Sequence, residues 1–195
     1  MENAQFKELL LQSLEHEMGG VQLYEAAISA VRNENLKKEF NKYLDQTRNH
    51  VRILEEVFSR LHLDSRESSS GRKIVGALGN SLLTAVQDAV ATGDAVASEL
   101  VACECVVLAE TKDHLDWELI GECAAKLGGE QKKAVQAAYN EVEDQEDEHL
   151  YHTRGWCREL WIHSLGMKSV LPPPEERKHV KTAVSAARAE HSVRR

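Results

Sequence analysis

Proline is nearly absent from this chain: three residues in 195, all consecutive at Pro172, Pro173 and Pro174. Aromatics are also few, at 5%, and there are only 11 glycines. With abundant Ala, Leu, Glu and Lys, little is left to break a helix, and an all-α protein is expected. The four cysteines lack C-x-x-C and zinc-knuckle spacing, which excludes a thiol redox motif and a structural zinc site. Cys103, Cys105, Cys123 and Cys157 are expected to be free thiols packed as small hydrophobes. No apolar run approaches 18 residues, so no membrane span is expected. The N-terminus, MENAQFKELLLQSLEHE, lacks the basic start and apolar stretch of a secretion signal, and the cytoplasm is the expected compartment. A net charge of −8 argues against a nucleic-acid-binding body.

What the chain has in quantity is helical periodicity. Four long stripes recur at steps of three and four residues. They occupy about 5–31, 36–62, 95–127 and 130–165. Asn33-Glu34-Asn35 and Gly128-Gly129 are short turns, so each pair of helices forms an antiparallel hairpin. Residues 64–76 are polar and Ser/Gly-rich and read as a loop, followed by a short helix at about 77–91. The expected fold is two hairpins joined by one long crossover, a four-helix bundle over residues 1–166.

Each stripe carries polar residues at its middle, where a bundle should be most apolar. They are Glu17 in the first, Thr47 and His50 in the second, Glu110 and Asp113 in the third, and Glu146 and His149 in the fourth. Charge in a core is costly unless paired or bound to metal. Glu17 lies about 16 residues before the first turn and His50 about 17 after it; Glu110 and Glu146 each lie about 18 residues from the second. At 1.5 Å rise per residue both pairs sit at matched heights. The residues are expected to form one layer, either as a metal site or as Glu–His pairs without metal. Trp117 and Trp156 read as core, His152 and His163 as peripheral, and His114 as a neighbour of the stripe.

These motifs resemble the ferritin-like superfamily, in particular the stress-associated YciF-type proteins. Glu17 with Tyr24 resembles the family's first-helix motif, and Glu110 its third-helix glutamate. Glu146-Asp147-Glu148-His149-Leu150 resembles the fourth-helix motif. Thr47-Arg48-Asn49-His50-Val51-Arg52-Ile53-Leu54 with Phe58 resembles the second helix, and Ala124-Ala125-Lys126-Leu127-Gly128 the end of the third. The resemblance implies a ferritin-like four-helix bundle and a di-iron-type site. Its metal ligands would be Glu17, His50, Glu110, Glu146 and His149, with Asp113 as an alternative on the third helix. Tyr24 and Thr47 would border the site. One departure stands out: the family's bridging glutamate falls at position 47, which here is Thr47. Asp45 and Gln46 flank that gap off the stripe.

The expected function is therefore iron or manganese binding for redox or stress protection, with one ion or none retained. The alternative is a metal-free scaffold with a vestigial site, acting through dimerisation or partner binding. A homodimer is expected. Residues 167–195 form a Pro-initiated tail; from Glu175 onward it holds six Lys/Arg against three Asp/Glu. The tail reads as a short helix or solvated segment able to contact a partner or second subunit. A second E-x-x-H, Glu176 to His179, lies in that tail and is assigned no chemistry.

Overall fold

The computed structural model describes residues 3–173 and is all-helical across them. Five helices follow in order: α1 (Asn3–Ala30), α2 (Glu34–Arg60), α3 (Ser70–Ala91), α4 (Ala95–Ala124) and α5 (Gly129–Ser164). The tail from Pro174 onward, with its suggested short helix and its E-x-x-H, lies outside the described residues.

The helix boundaries follow from local capping. The Asn33 side chain accepts hydrogen bonds from the backbone N–H groups of Asn35 and Leu36, which starts α2. Asp94 does the same for Val96 and Ala97 at the start of α4. Before it, Gly93 takes a positive φ of 74°, which lets the chain reverse between α3 and α4.

Helix α1 packs on α2 and α4, and α5 packs on α4 and α2, so the four long helices close a ring. Helix α3 lies outside the ring, along α1 and α4. The crossover therefore differs from the expected loop and short helix. It is helical from Ser70, because the Ser69 side chain accepts from the Arg72 N–H and acts as an N-cap. The serines that read as loop are the start signal of the helix. Gly19 and Gly79 face each other where α1 and α3 pack, and a Cβ at either position would meet the other's Cα at 3.9 Å, an ordinary van der Waals contact. By length and composition alone α3 is apolar enough to cross a membrane. In the structure it buries Val75 and Val86 against the ring.

Two apolar clusters fill the ring. One holds Tyr24, Leu36, Phe40, Tyr43, Cys103, Val106 and Trp156. The other holds Phe6, Leu10, Leu54, Phe58, Trp117, Ile120 and Val135. The polar middles of the stripes lie between them. Val96, in the first turn of α4, is exposed.

One carboxylate ties the two hairpins at the end nearest the α1–α2 turn. Glu99 Oε1 on α4 accepts from the backbone N–H of Arg32 and of Asn33, each at 2.8 Å. Glu99→Ala is expected to lower the urea unfolding free energy by about 1–2 kcal/mol with an unchanged m-value. A variant as stable as the parent would show that this contact does not brace the fold.

Candidate metal centre

The helical stripes bring Glu17, Thr47, His50, Glu110, Asp113, Glu146 and His149 into the middle of the ring, and all seven are buried. Glu146 stands at the centre. Its Oε1 lies 3.2 Å from His50 Nδ1 and 3.4 Å from His149 Nδ1. His50 Nδ1 is also 3.4 Å from Glu17 Oε1, and His149 Nδ1 is 3.4 Å from Glu110 Oε2. Two triads result, Glu17–His50–Glu146 and Glu110–Glu146–His149; in each, one atom per residue lies within 4.8 Å of the others. They share Glu146.

The outer nitrogens of the imidazoles are held by two glutamines. His50 Nε2–H donates to Gln145 Oε1 at 3.1 Å, and His149 Nε2–H donates to Gln46 Oε1 at 2.9 Å. Gln145 is oriented in turn by its own amide, which donates to the Glu141 carbonyl. Both Nδ1 atoms thus face the carboxylates and have no hydrogen-bond partner, as do both oxygens of Glu146, Glu17 Oε2 and Glu110 Oε2. Gln46 was expected to lie off the stripe and idle; it reaches the site from the flank. Its signal in the sequence is a shared spacing. Gln46 precedes His50 by four residues, as Gln145 precedes His149, and each glutamine serves the other helix's histidine.

Two large side chains hold the outer carboxylates. Trp117 Nε1–H donates to Glu17 Oε1, and the Tyr24 hydroxyl donates to Glu110 Oε1, both at 2.7 Å. Trp117, read only as core, therefore also orients a site residue. Thr47 does not face the carboxylates with its hydroxyl, which donates to the Tyr43 carbonyl at 2.9 Å. Its methyl sits so close to Gly20 that a Cβ there would meet it at 3.3 Å. Of the two α4 carboxylates, Glu110 is the one in a triad. Asp113 is buried with Oδ1 unpartnered but belongs to neither triad.

His114 pairs with Asp147 at the flank, and His163 is exposed. His152 is not peripheral as expected. It is buried, and its Nδ1 lies 2.8 Å from the Tyr43 hydroxyl. All four cysteines are free.

Burial and mutual contact push the site's groups in opposite directions. Burial raises the Glu17 carboxyl against the pull of His50. Burial, then the carboxylates of Glu146, Glu17 and Glu110, raise Asp113 well above the usual range. At Glu146 burial also opposes ionisation, but contacts with His149 and His50 prevail and hold it well below the usual range. Burial works to lower both histidines; Glu17 and Glu146 nevertheless raise His50 to about 11, and Glu110 and Glu146 raise His149 to about 9. Without metal, the two imidazoles share Glu146, with Glu17 beside His50 and Glu110 beside His149.

Residues 2–109 match the model of a family described as a domain of unknown function, DUF892. The chain belongs to this family. The family is related to the ferritin-like superfamily. The match spans Glu17 and His50 and stops one residue before Glu110, so the α4 and α5 half of the layer lies beyond it. No curated protein and no solved structure matches the chain.

The histidine shifts have a signed consequence. A histidine whose folded pKa is raised stabilises the fold fully below its unfolded value of 6.5 and loses that contribution as pH rises through the folded value. The melting temperature of metal-free protein is expected to fall as pH rises from 6.5 to about 9, because there the unfolded chain has lost histidine protons that the folded His149 and His50 keep. Calorimetry across that range checks it; a flat profile would mean that the imidazoles are neutral in the fold.

Proposed function

We propose that the protein is a ferritin-like metal-binding protein that holds iron or manganese in this layer and serves redox protection against peroxide. The observation that carries this reading is the pair of buried triads sharing Glu146, with both histidine Nδ1 atoms turned inward by the glutamines. The residues fit such an ion. Carboxylate and imidazole donors suit iron and manganese, and the six inward-facing atoms lack any other partner. Glu17, His50, Glu110, Glu146 and His149 would hold it. A bound ion would supply one-electron chemistry. The Nε2–H bonds to Gln46 and Gln145 fix each ring's rotation and tautomer for that task.

Thr47 sets the stoichiometry in this reading. A hydroxyl bonded to the Tyr43 carbonyl is not an anionic bridge. Purified protein is therefore expected to retain fewer than two tightly held ions per chain by elemental analysis, and Thr47→Glu to raise that content. Metal that binds only the folded state at 100 times its Kd stabilises by about 2.7 kcal/mol. Ferrous iron or manganese should accordingly raise the melting temperature of the parent, and Glu146→Ala should abolish the rise. No response to either ion would favour the second reading, a metal-free scaffold. Thr47 supports that second reading too, since the side chain at the family's bridging position is well packed without metal.

The protein is further proposed to be cytoplasmic and to form a homodimer, the closed two-fold pair being the commonest assembly. Light scattering is expected to report twice the chain mass of 21.9 kDa. A particle of single-chain mass at working concentration would argue against the dimer.

A further inference from the structure

The layer is not the end of the buried polar network. The ring of Tyr43 packs against His149 with centroids 4.3 Å apart. Tyr43 is fully buried, and its hydroxyl lies 2.8 Å from His152 Nδ1. Beyond that pair stand Glu39 and Glu148, both partly exposed. Glu39 Oε2 accepts from the Tyr43 hydroxyl at 3.3 Å, longer than the 2.8 Å contact to His152, and from Trp156 Nε1–H at 3.0 Å. Glu148 is 3.6 Å from His152 Nδ1 and is paired with Lys42, whose ammonium sits 5.5 Å from the Tyr43 ring centroid. A continuous file of groups thus runs from a site histidine, through a phenol and an imidazole, to surface carboxylates. Folding alone does not require it: a phenylalanine at 43 and an apolar residue at 152 would fill the same space.

We propose that Tyr43 and His152 form a redox pair that supplies an electron to the metal layer, the phenolic proton passing to His152 as the electron leaves. This rests on the metal-binding reading above. Peroxide reduced to two waters takes two electrons and two protons. A bound divalent ion would supply one of these electrons, and Tyr43 gives the other. The Tyr43 O–H bond breaks, an N–H bond forms at His152 Nδ1, and Tyr43 is left as a neutral phenoxyl. The two protons that complete the waters come from solvent. A buried phenol cannot release its electron alone, because a bare cation radical in a low-dielectric interior is far costlier than a neutral one. A base within hydrogen-bond reach removes that cost, and His152 provides it.

Tyr24 is the rival donor, its ring centroid 6.2 Å from that of Tyr43. Its hydroxyl donates to Glu110, the carboxylate that would hold metal through its other oxygen. A carboxylate engaged with a cation is a poor proton acceptor, so metal binding silences Tyr24 and leaves Tyr43 competent.

The test has two arms. In the first, manganese-loaded protein is treated with hydrogen peroxide and frozen for electron paramagnetic resonance. A tyrosyl signal is expected in the parent and in Tyr24→Phe, and its loss in Tyr43→Phe. In the second, metal-free Tyr24→Phe protein is oxidised by a photogenerated ruthenium(III) complex. Tyrosyl formation is expected to show a solvent deuterium isotope effect, to be slowed by roughly 100-fold in Tyr24→Phe/His152→Leu, and to vanish from the buried position in Tyr24→Phe/Tyr43→Phe. Circular dichroism melting establishes that each variant folds, and the isotope effect reports on the pair even where the His152 variant does not. A tyrosyl yield unchanged by Tyr43→Phe in the second arm, or oxidation without an isotope effect, would overturn the pair. Success there with no signal in the first arm would leave the pair standing and overturn the metal reading of the layer.

Discussion

One carboxylate with two claimants organises this protein. Glu146 is buried at the centre of the ring, and both histidines turn the same nitrogen toward its Oε1. An isolated carboxylate there would cost several kcal/mol. Two imidazolium partners, or a cation, must therefore accompany it, and everything nearby is arranged to keep them in place. Gln46 and Gln145 hold the histidines from outside, and Trp117 and Tyr24 hold the flanking glutamates. Each of these contacts crosses from one helix to another. The layer is thus both the most expensive part of the core and the register mark that aligns α1, α2, α4 and α5.

The two halves of the layer are related but unequal. Each has a glutamate, a histidine and an external glutamine, and each glutamine serves the opposite helix's histidine. The difference is at position 47, the counterpart of Glu146 in the Q-x-x-x-H spacing. A threonine there closes against Gly20 and satisfies its hydroxyl on its own helix. The helix packing has thus accommodated the missing carboxylate locally, leaving Glu146 as the central anion. Asp113, its carboxyl pushed well above the usual range by burial and unpartnered at Oδ1, belongs to neither triad.

Much of the site was legible in the sequence because helical periodicity is a strong one-dimensional signal. Glu17, His50, Glu110, Glu146 and His149 lie on stripes, and short turns at 33 and 128 allow their heights to be compared by counting. Gln46 was passed over because it lies beside its stripe; a long flexible side chain reaches across a helix interface from such a flank. The role of His152 leaves no trace in the sequence, because its hydrogen bond to Tyr43 joins residues 109 apart in the chain. The crossover was read as loop because serine signals both a loop and a helix start, and only the Ser69 side chain accepting from Arg72 N–H distinguishes them.

The amino-acid sequence by itself determined the helical class, the positions of the turns and which residues would share a face. These depend on properties of the local chain: propensity, caps and a 3.6-residue period. Tertiary structure alone decided which polar atoms end up paired. That Glu146 is shared by two histidines, that the glutamines cross over, that Glu110 and not Asp113 joins a triad, and that α3 runs along the ring all depend on side-chain reach between helices. Such distances, a few ångströms at a helix interface, are set by packing and leave no periodic trace in the chain.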